Sequence, residues 1–351
     1  MFMIADDFNT FSKRNLDVMK IRTLIISICL LGNGQILYAD ALSRTQTVNP
    51  TKTVTSDKMD TAGFLKKITP EMLYGYTDFR FDSTSSDNFN RYKGHSNLYS
   101  TGADHISFGQ SVMAGIYYFK IDTSLNAQFL LNPGSFTQSQ QTINNNTIFG
   151  HVLKIFTPEI YADVAGGYGY NKITTYTQVA PGTTTEQDTH AINNNDNWFL
   201  SLNGIYRKTW KKYVLRANLG VLYSQIDSGP YDYLFTNSGT LQPIQSLTNK
   251  ATLLLENAEL GYFINPKLMP FIGAGLIQVV QFSNSRPIID PASDINGSLP
   301  QLNMNKNGFR LGAGVSYTYK NATVRIEEKY YNSSGTFRSY QSLAALEYSF
   351  D

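Results

Sequence analysis

Between Lys211 and Ser224 the chain reads KKYVLRANLGVLYS, and its residues sort by parity onto two faces. Tyr213, Leu215, Ala217, Leu219, Val221 and Tyr223 share one face; Arg216, Asn218, Gly220 and Ser224 share the other. A strand sends successive side chains to opposite sides, so this stretch is a strand with one apolar and one polar surface. The pattern recurs. In GFRLGAGVSYTY, Phe309, Leu311, Ala313, Val315, Tyr317 and Tyr319 oppose Arg310, Gly312, Gly314, Ser316 and Thr318. In EIYADVAGGYGY, Ile160, Ala162, Val164, Tyr168 and Tyr170 oppose Asp163, Gly167 and Gly169. No sustained 3.6-residue period competes with it beyond residue 72.

Strand-like segments are read at 72–82, 104–119, 122–132, 147–156, 159–176, 197–209, 212–226, 250–264, 267–283, 306–319, 322–331 and 337–350, twelve in all. A soluble β-sandwich would also alternate in this way. The connections separate the two cases. Long ones (83–103, 133–146, 177–196, 227–249, 284–305) take turns with tight ones (Lys120-Ile121, Thr157-Pro158, Trp210-Lys211, Asn265-Pro266, Lys320-Asn321), and only the short 332–336 breaks the rule. Loops on one side and turns on the other describe the meander of an outer-membrane barrel, whose strands come in even number. The fold class expected is therefore all-β, a transmembrane antiparallel β-barrel of about twelve strands. Segment 250–264 has three consecutive leucines, Leu253 to Leu255, which predicts a bulge.

Composition agrees. Charged residues are 16% of the chain, below the usual value of about 25%. Aromatics are 13%, with 23 Tyr and 21 Phe against 2 Trp. They gather near strand ends, where rings with a polar edge form interfacial girdles. Charges on a lipid face would cost about 2–4 kcal/mol each at the midplane, so Asp163, Arg216, Arg310, Arg325, Glu327 and Lys329 are assigned to the lumen. A net charge of +2 with no basic stripe excludes a nucleic-acid partner.

Residues 19–41, MKIRTLIISICLLGNGQILYADA, have cations, a short apolar run and a small-residue site, the pattern of a cleaved signal peptide. Residues 1–18 read as an upstream extension with Met19 as the working start, and 42–64 as a flexible tether running into a short helix. The barrel is assigned to 65–351. Cys29, the one cysteine, falls inside the signal, so the exported chain has no disulfide, thiol nucleophile or thiolate metal site. The destination is the outer membrane of a Gram-negative bacterium.

The glycine-punctuated GFRLGAGVSY, the proline-containing LMPFIGAGL and the terminal ladder Tyr340, Ser342, Ala344, Leu346, Tyr348, Phe350 together resemble the autotransporter β-domain, the translocator barrel of type V secretion. The likeness covers roughly residues 65–350. It implies outer-membrane lipid, the barrel-assembly machinery and periplasmic chaperones as partners. It also implies a helix threading the pore, here about 61–72, and Tyr348 with Phe350 as the assembly signal. Family members usually end on the aromatic itself, whereas Asp351 follows here. Only about thirty residues separate the cleavage site from the first strand, which leads us to expect a barrel without a passenger domain. The threaded segment has no Asn-Asn pair, so self-cleavage is not expected.

The lumen charges have two readings at this point, bracing of the wall and plug or selection of a charged solute. His95 and His190 fall in expected external loops, while His105 and His151 fall on strands with no acid nearby in sequence. Gly-x-Ser-x-Gly, His-Glu-x-x-His and phosphate-cradling glycine loops are all missing, so no catalytic, cofactor or metal site and no enzymatic activity are expected. A porin-like channel and a surface adhesin acting on a host through the long loops are the alternative functions.

Overall fold

The structure, a computed structural model, describes residues 68–85, 88–109, 111–130, 136–184, 186–284, 307–333 and 337–350. The upstream extension, the signal peptide, the tether and the lumen segment as far as residue 67 lie outside them. Twelve strands form the wall: β1 (Thr69–Ser85), β2 (Asn88–Ser107), β3 (Val112–Leu130), β4 (Phe136–Ile155), β5 (Ile160–Val179), β6 (Gln187–Trp210), β7 (Tyr213–Ser228), β10 (Leu247–Tyr262), β11 (Leu268–Asn284), β12 (Gly308–Tyr319), β13 (Ala322–Ser333) and β14 (Phe337–Tyr348). Each pairs antiparallel with its neighbours, and β14 closes on β1 from Glu71↔Glu347 to Phe81↔Phe337. Closure removes both sheet edges, which is what a lipid environment demands of backbone N–H and C=O groups. A short hairpin, β8 (Tyr231–Phe235) and β9 (Thr240–Ile244), folds onto β6 through Thr189 and His190.

The outward faces are apolar in one band, with Leu200, Leu202, Ile272 and Leu311 at least half exposed on the outer wall. Aromatics bound that band on both sides. At one level Tyr74 meets Tyr99 (centroids 5.4 Å), Trp198 meets Tyr223 (5.1 Å) and Tyr330 meets Tyr340 (5.0 Å). Nearer the tight turns, Tyr213 meets Tyr262 (5.1 Å), Tyr348 meets Phe350 (5.1 Å), and Lys267 and Lys320 hang over the Tyr319 ring. Rings with snorkelling lysines mark the lower interface.

Strand length is uneven. β12, β13 and β14 have 12 residues each, whereas β4 and β5 have 20 and β6 has 24. At about 3.3 Å per residue, twelve residues give about 40 Å of strand, enough to cross the ~30 Å hydrocarbon layer at a ~40° tilt. The excess in β2 to β6 stands above the aromatic level as a water-facing collar.

That collar corrects the expected strand boundaries. Lys120-Ile121 is not a turn: it lies inside β3, where Lys120 pairs in register with Tyr99 and Asn146 and its Nζ sits 3.0 Å from Asp122 Oδ2. The true turn is near 108–111, so the segments drawn at 104–119 and 122–132 are the end of β2 plus most of β3. The supposed loops 83–103 and 133–146 are largely β2 and β4, and 177–196 contains the start of β6. Residues 69–72, at the end of the expected lumen helix, are strand. The other four tight turns stand. Asn265 Oδ1 accepts from the backbone N of Lys267 and Leu268 (2.9 and 3.0 Å), and Lys211 and Lys320 take the left-handed conformation (φ 55° and 52°). The bulge in 250–264 is present too, as a register shift between Thr252 and Leu253 that turns Leu253 and Leu255 inward.

Candidate lumen site

Three layers line the lower and middle lumen. The highest is an apolar girdle, one contiguous cluster to which every wall strand but β12 contributes, from Leu73 on β1 through Phe149, Phe199 and Leu222 to Leu343 on β14. Opposite Ile277, β12 offers Gly308.

Beneath the girdle, on the β6–β13 side, lies a charged chamber. Its centre is Arg325, 5% exposed. The guanidinium reaches Glu259 on β10, with Nη1 donating to Oε1 at 3.3 Å, and its Nε donates to Glu327 Oε2 at 3.4 Å. Arg216 Nη1 donates to the same Glu259 Oε1 at 3.3 Å, and Lys329 Nζ stands 3.1 Å from Glu327 Oε1. Arg325 also stacks 3.7 Å above the Phe271 ring. Gly314 makes room for that ring: a Cβ there would stand 2.4 Å from Phe271 Cζ and 2.3 Å from the Ile326 carbonyl. Arg310 on β12, 8% exposed, completes the lining.

The third layer is a buried chain on the β1–β6 side. His151 on β4 is held between two carboxylates: Nδ1 is 2.7 Å from Asp163 Oδ1 and Nε2 is 3.2 Å from Asp104 Oδ1. Asp104 sits on β2, two strands away, and the reach is possible because the intervening residue in register is Gly115. A Cβ at Gly115 would lie 2.4 Å from His151 Nε2. Nearby, Tyr117 donates to Glu71 Oε2 at 3.0 Å and stacks on Phe149. Both imidazole nitrogens face acceptors, so His151 offers no free lone pair to a substrate and acts as a tie between strands.

The six lumen charges named from sequence thus fall into two groups, with Lys329 beside Glu327 in the chamber. Arg216, Arg310, Arg325 and Glu327 share the chamber, while Asp163 belongs to the His151 chain. Sequence reasoning passed over Glu259, Arg207, Asp104 and Glu71, and it read His151 as lacking an acid. Those partners come from strands 12 to 66 positions away, and parity alone was the available signal. Tyr348 and Phe350 lie on the outer wall at the lower aromatic level, 43% and 49% exposed. Among the described residues no group of three or more His, Cys, Asp or Glu is arranged to hold a metal ion.

A closed antiparallel barrel of twelve strands, apolar outside between two aromatic girdles and charged within, is a transmembrane barrel of the outer-membrane kind. The model of the autotransporter β-domain family matches residues 74–328, and the chain belongs to that family. It is thus an outer-membrane β-barrel of the type V secretion translocator class. Its fold is similar to the translocator domain of the autotransporter NalP from Neisseria meningitidis (TM-score 0.60, 11% identity, 90% of this chain and 97% of that one). It is also similar to the β-domain of the Bordetella autotransporter BrkA (0.52, 15%, 81% and 100%) and to the transport unit of AIDA-I from Escherichia coli (0.52, 10%, 88% and 97%). Comparison of the sequence with curated proteins gives no match.

Proposed function

We propose that residues 19–41 direct export and are cleaved, that periplasmic chaperones deliver the chain, and that the barrel-assembly machinery reads Tyr348 and Phe350 on the closing strand. The inserted barrel then holds a polypeptide segment, the residues that precede β1, in its lumen. It serves transport or surface display and not catalysis. The observation that carries this reading is the layered lumen. An apolar girdle above a charged chamber grips an amphipathic chain, with Phe64, Leu65 and Ile68 matched to the girdle. The preceding segment enters at the turn end of the barrel, since Thr69 pairs with Asp104 beside the 108–111 turn.

Cys29 is the one native cysteine and falls in the expected signal, which makes pairwise cross-linking clean. A disulfide between Phe64→Cys and Leu343→Cys is expected on mild oxidation in whole cells, and none between Phe64→Cys and the outward Leu346→Cys. Failure of Phe64→Cys to link to any lumen position would reject a threaded segment. The water-facing collar of β2 to β6 supports a second reading, contact with a host surface. On that reading, removal of the 231–244 hairpin lowers cell binding while heat-modifiable migration is unchanged.

A further inference from the structure

We propose that the chamber is an oxyanion site in which Arg207 and Arg216 together hold a phosphate or carboxylate group. The two arginines stand directly opposite each other in register on β6 and β7, both on the lumen face. Like charges directly opposite across a strand pair repel. Arg216 is tied by one nitrogen to Glu259, but its Nε is buried without a hydrogen-bond partner. Arg207 is 8% exposed and lines the same chamber. Among the described residues its guanidinium has no hydrogen bond or ion pair, and the ionisable groups acting on it are Arg216 and Tyr161. The Tyr161 hydroxyl is already used, donating to the Pro158 carbonyl at 2.6 Å.

Charge in the chamber is lopsided. Arg207, Arg216, Arg310, Arg325 and Lys329 line it against the carboxylates Glu259 and Glu327, and Glu347 acts on Arg216 from β14. Among these described residues, cations outnumber carboxylates by two. Both carboxylates in the lining are committed, Glu259 to Arg216 and Arg325, and Glu327 to Arg325 and Lys329. A guanidinium with so little exposure and no counter-charge among the described residues is costly, and a second one beside it compounds the cost. A planar or tetrahedral oxyanion placed between two guanidinium forks satisfies both at once. Asn218 and Asn257, paired in register on β7 and β10, add amide donors at the chamber wall. The group comes either from a free solute or from an acidic side chain in the lumen, and the only acids between residues 42 and 68 are Asp57 and Asp60.

The test is thermal unfolding of the full-length protein in detergent, in sodium phosphate against sodium chloride at equal ionic strength. Five forms are compared: wild type, Arg207→Gln, Lys208→Gln as a control whose lysine pairs with Glu159 on the outer wall, Asp57→Asn/Asp60→Asn, and that double variant with Arg207→Gln added. If a free anion fills the site, phosphate at ten times its dissociation constant raises the wild-type and Lys208→Gln midpoints by roughly 3 °C and leaves Arg207→Gln unmoved. If a carboxylate of the chain fills it, wild type shows no shift, Asp57→Asn/Asp60→Asn gains one, and adding Arg207→Gln abolishes the gain. No shift in wild type or in Asp57→Asn/Asp60→Asn, or a shift that persists with Arg207→Gln, overturns the proposal. The cross-linking result above is independent of this outcome.

Discussion

Removing the imidazole of His151 should destabilise the barrel more than any ordinary lumen substitution. The side chain is 1% exposed, and its partners Asp104 and Asp163 are 4% and 0% exposed. Hydrogen bonds to a charged group contribute about 1.5–3 kcal/mol each, so the 2.7 and 3.2 Å contacts together are worth about 3–6 kcal/mol. His151→Leu also strands two carboxylates; breaking a buried pair in this way costs about 3–5 kcal/mol. A loss in that range is expected. Because replacing a whole buried ion cluster is often neutral, Asp104→Asn/His151→Leu/Asp163→Asn should recover most of it. Urea unfolding in lipid vesicles reads both, by heat-modifiable migration or by fluorescence of Trp198 and Trp210, the two tryptophans, both on β6. The barrel is deeply shielded here, so added salt should leave the difference unchanged. A loss below about 1 kcal/mol, or a triple variant as unstable as the single one, would refute the strand-tie role.

Two further outcomes are open to direct measurement. Phe350→Ala should lower the amount of folded barrel recovered from the outer membrane while deletion of Asp351 has no effect; normal levels of the Phe350 variant would leave the terminal ladder as an ordinary strand. Gly314→Val should cost about 1–3 kcal/mol in the same urea assay, because the new side chain displaces the Phe271 ring beneath Arg325.

The part of the fold that was legible in the sequence is the part that touches lipid. There the outer face must be apolar and the inner face is polar or small, so β7, β12 and the outer half of β5 declared their parity at once. Above the membrane both faces of the wall meet water, and the contrast vanishes. In β4 the run TQSQQTINNN places Thr137, Ser139, Gln141 and Asn145 inside and Gln138, Gln140, Thr142 and Asn144 outside, and it reads as a polar loop. Lys120 and Asp122 misled for the same reason. They form an ion pair on the outer face of β3 just above Tyr118, where water, not lipid, surrounds the strand. The count of twelve survived because the loss of most of β2 was balanced by a spurious cut through β3.

The lumen site was legible one residue at a time and illegible as a set. Parity places a charge inside the barrel, but its partner is chosen by register around the circumference, which no local window contains. Arg325 and Glu259 are 66 positions apart and belong to strands that are not neighbours. What lets them meet is small residues on the strands between: Arg325 passes over the Phe271 ring that Gly314 accommodates, and β11 and β12 present Gly273 and Gly312 to the chamber. The same device joins His151 to Asp104 across Gly115. A glycine at lumen parity, flanked two strands apart by opposite charges, therefore marks a bridge over a strand. It is the local feature from which both networks follow once the register is known. Arg207 is the exception that gives the chamber its character, because its register partner is another arginine and no described residue pairs with its guanidinium.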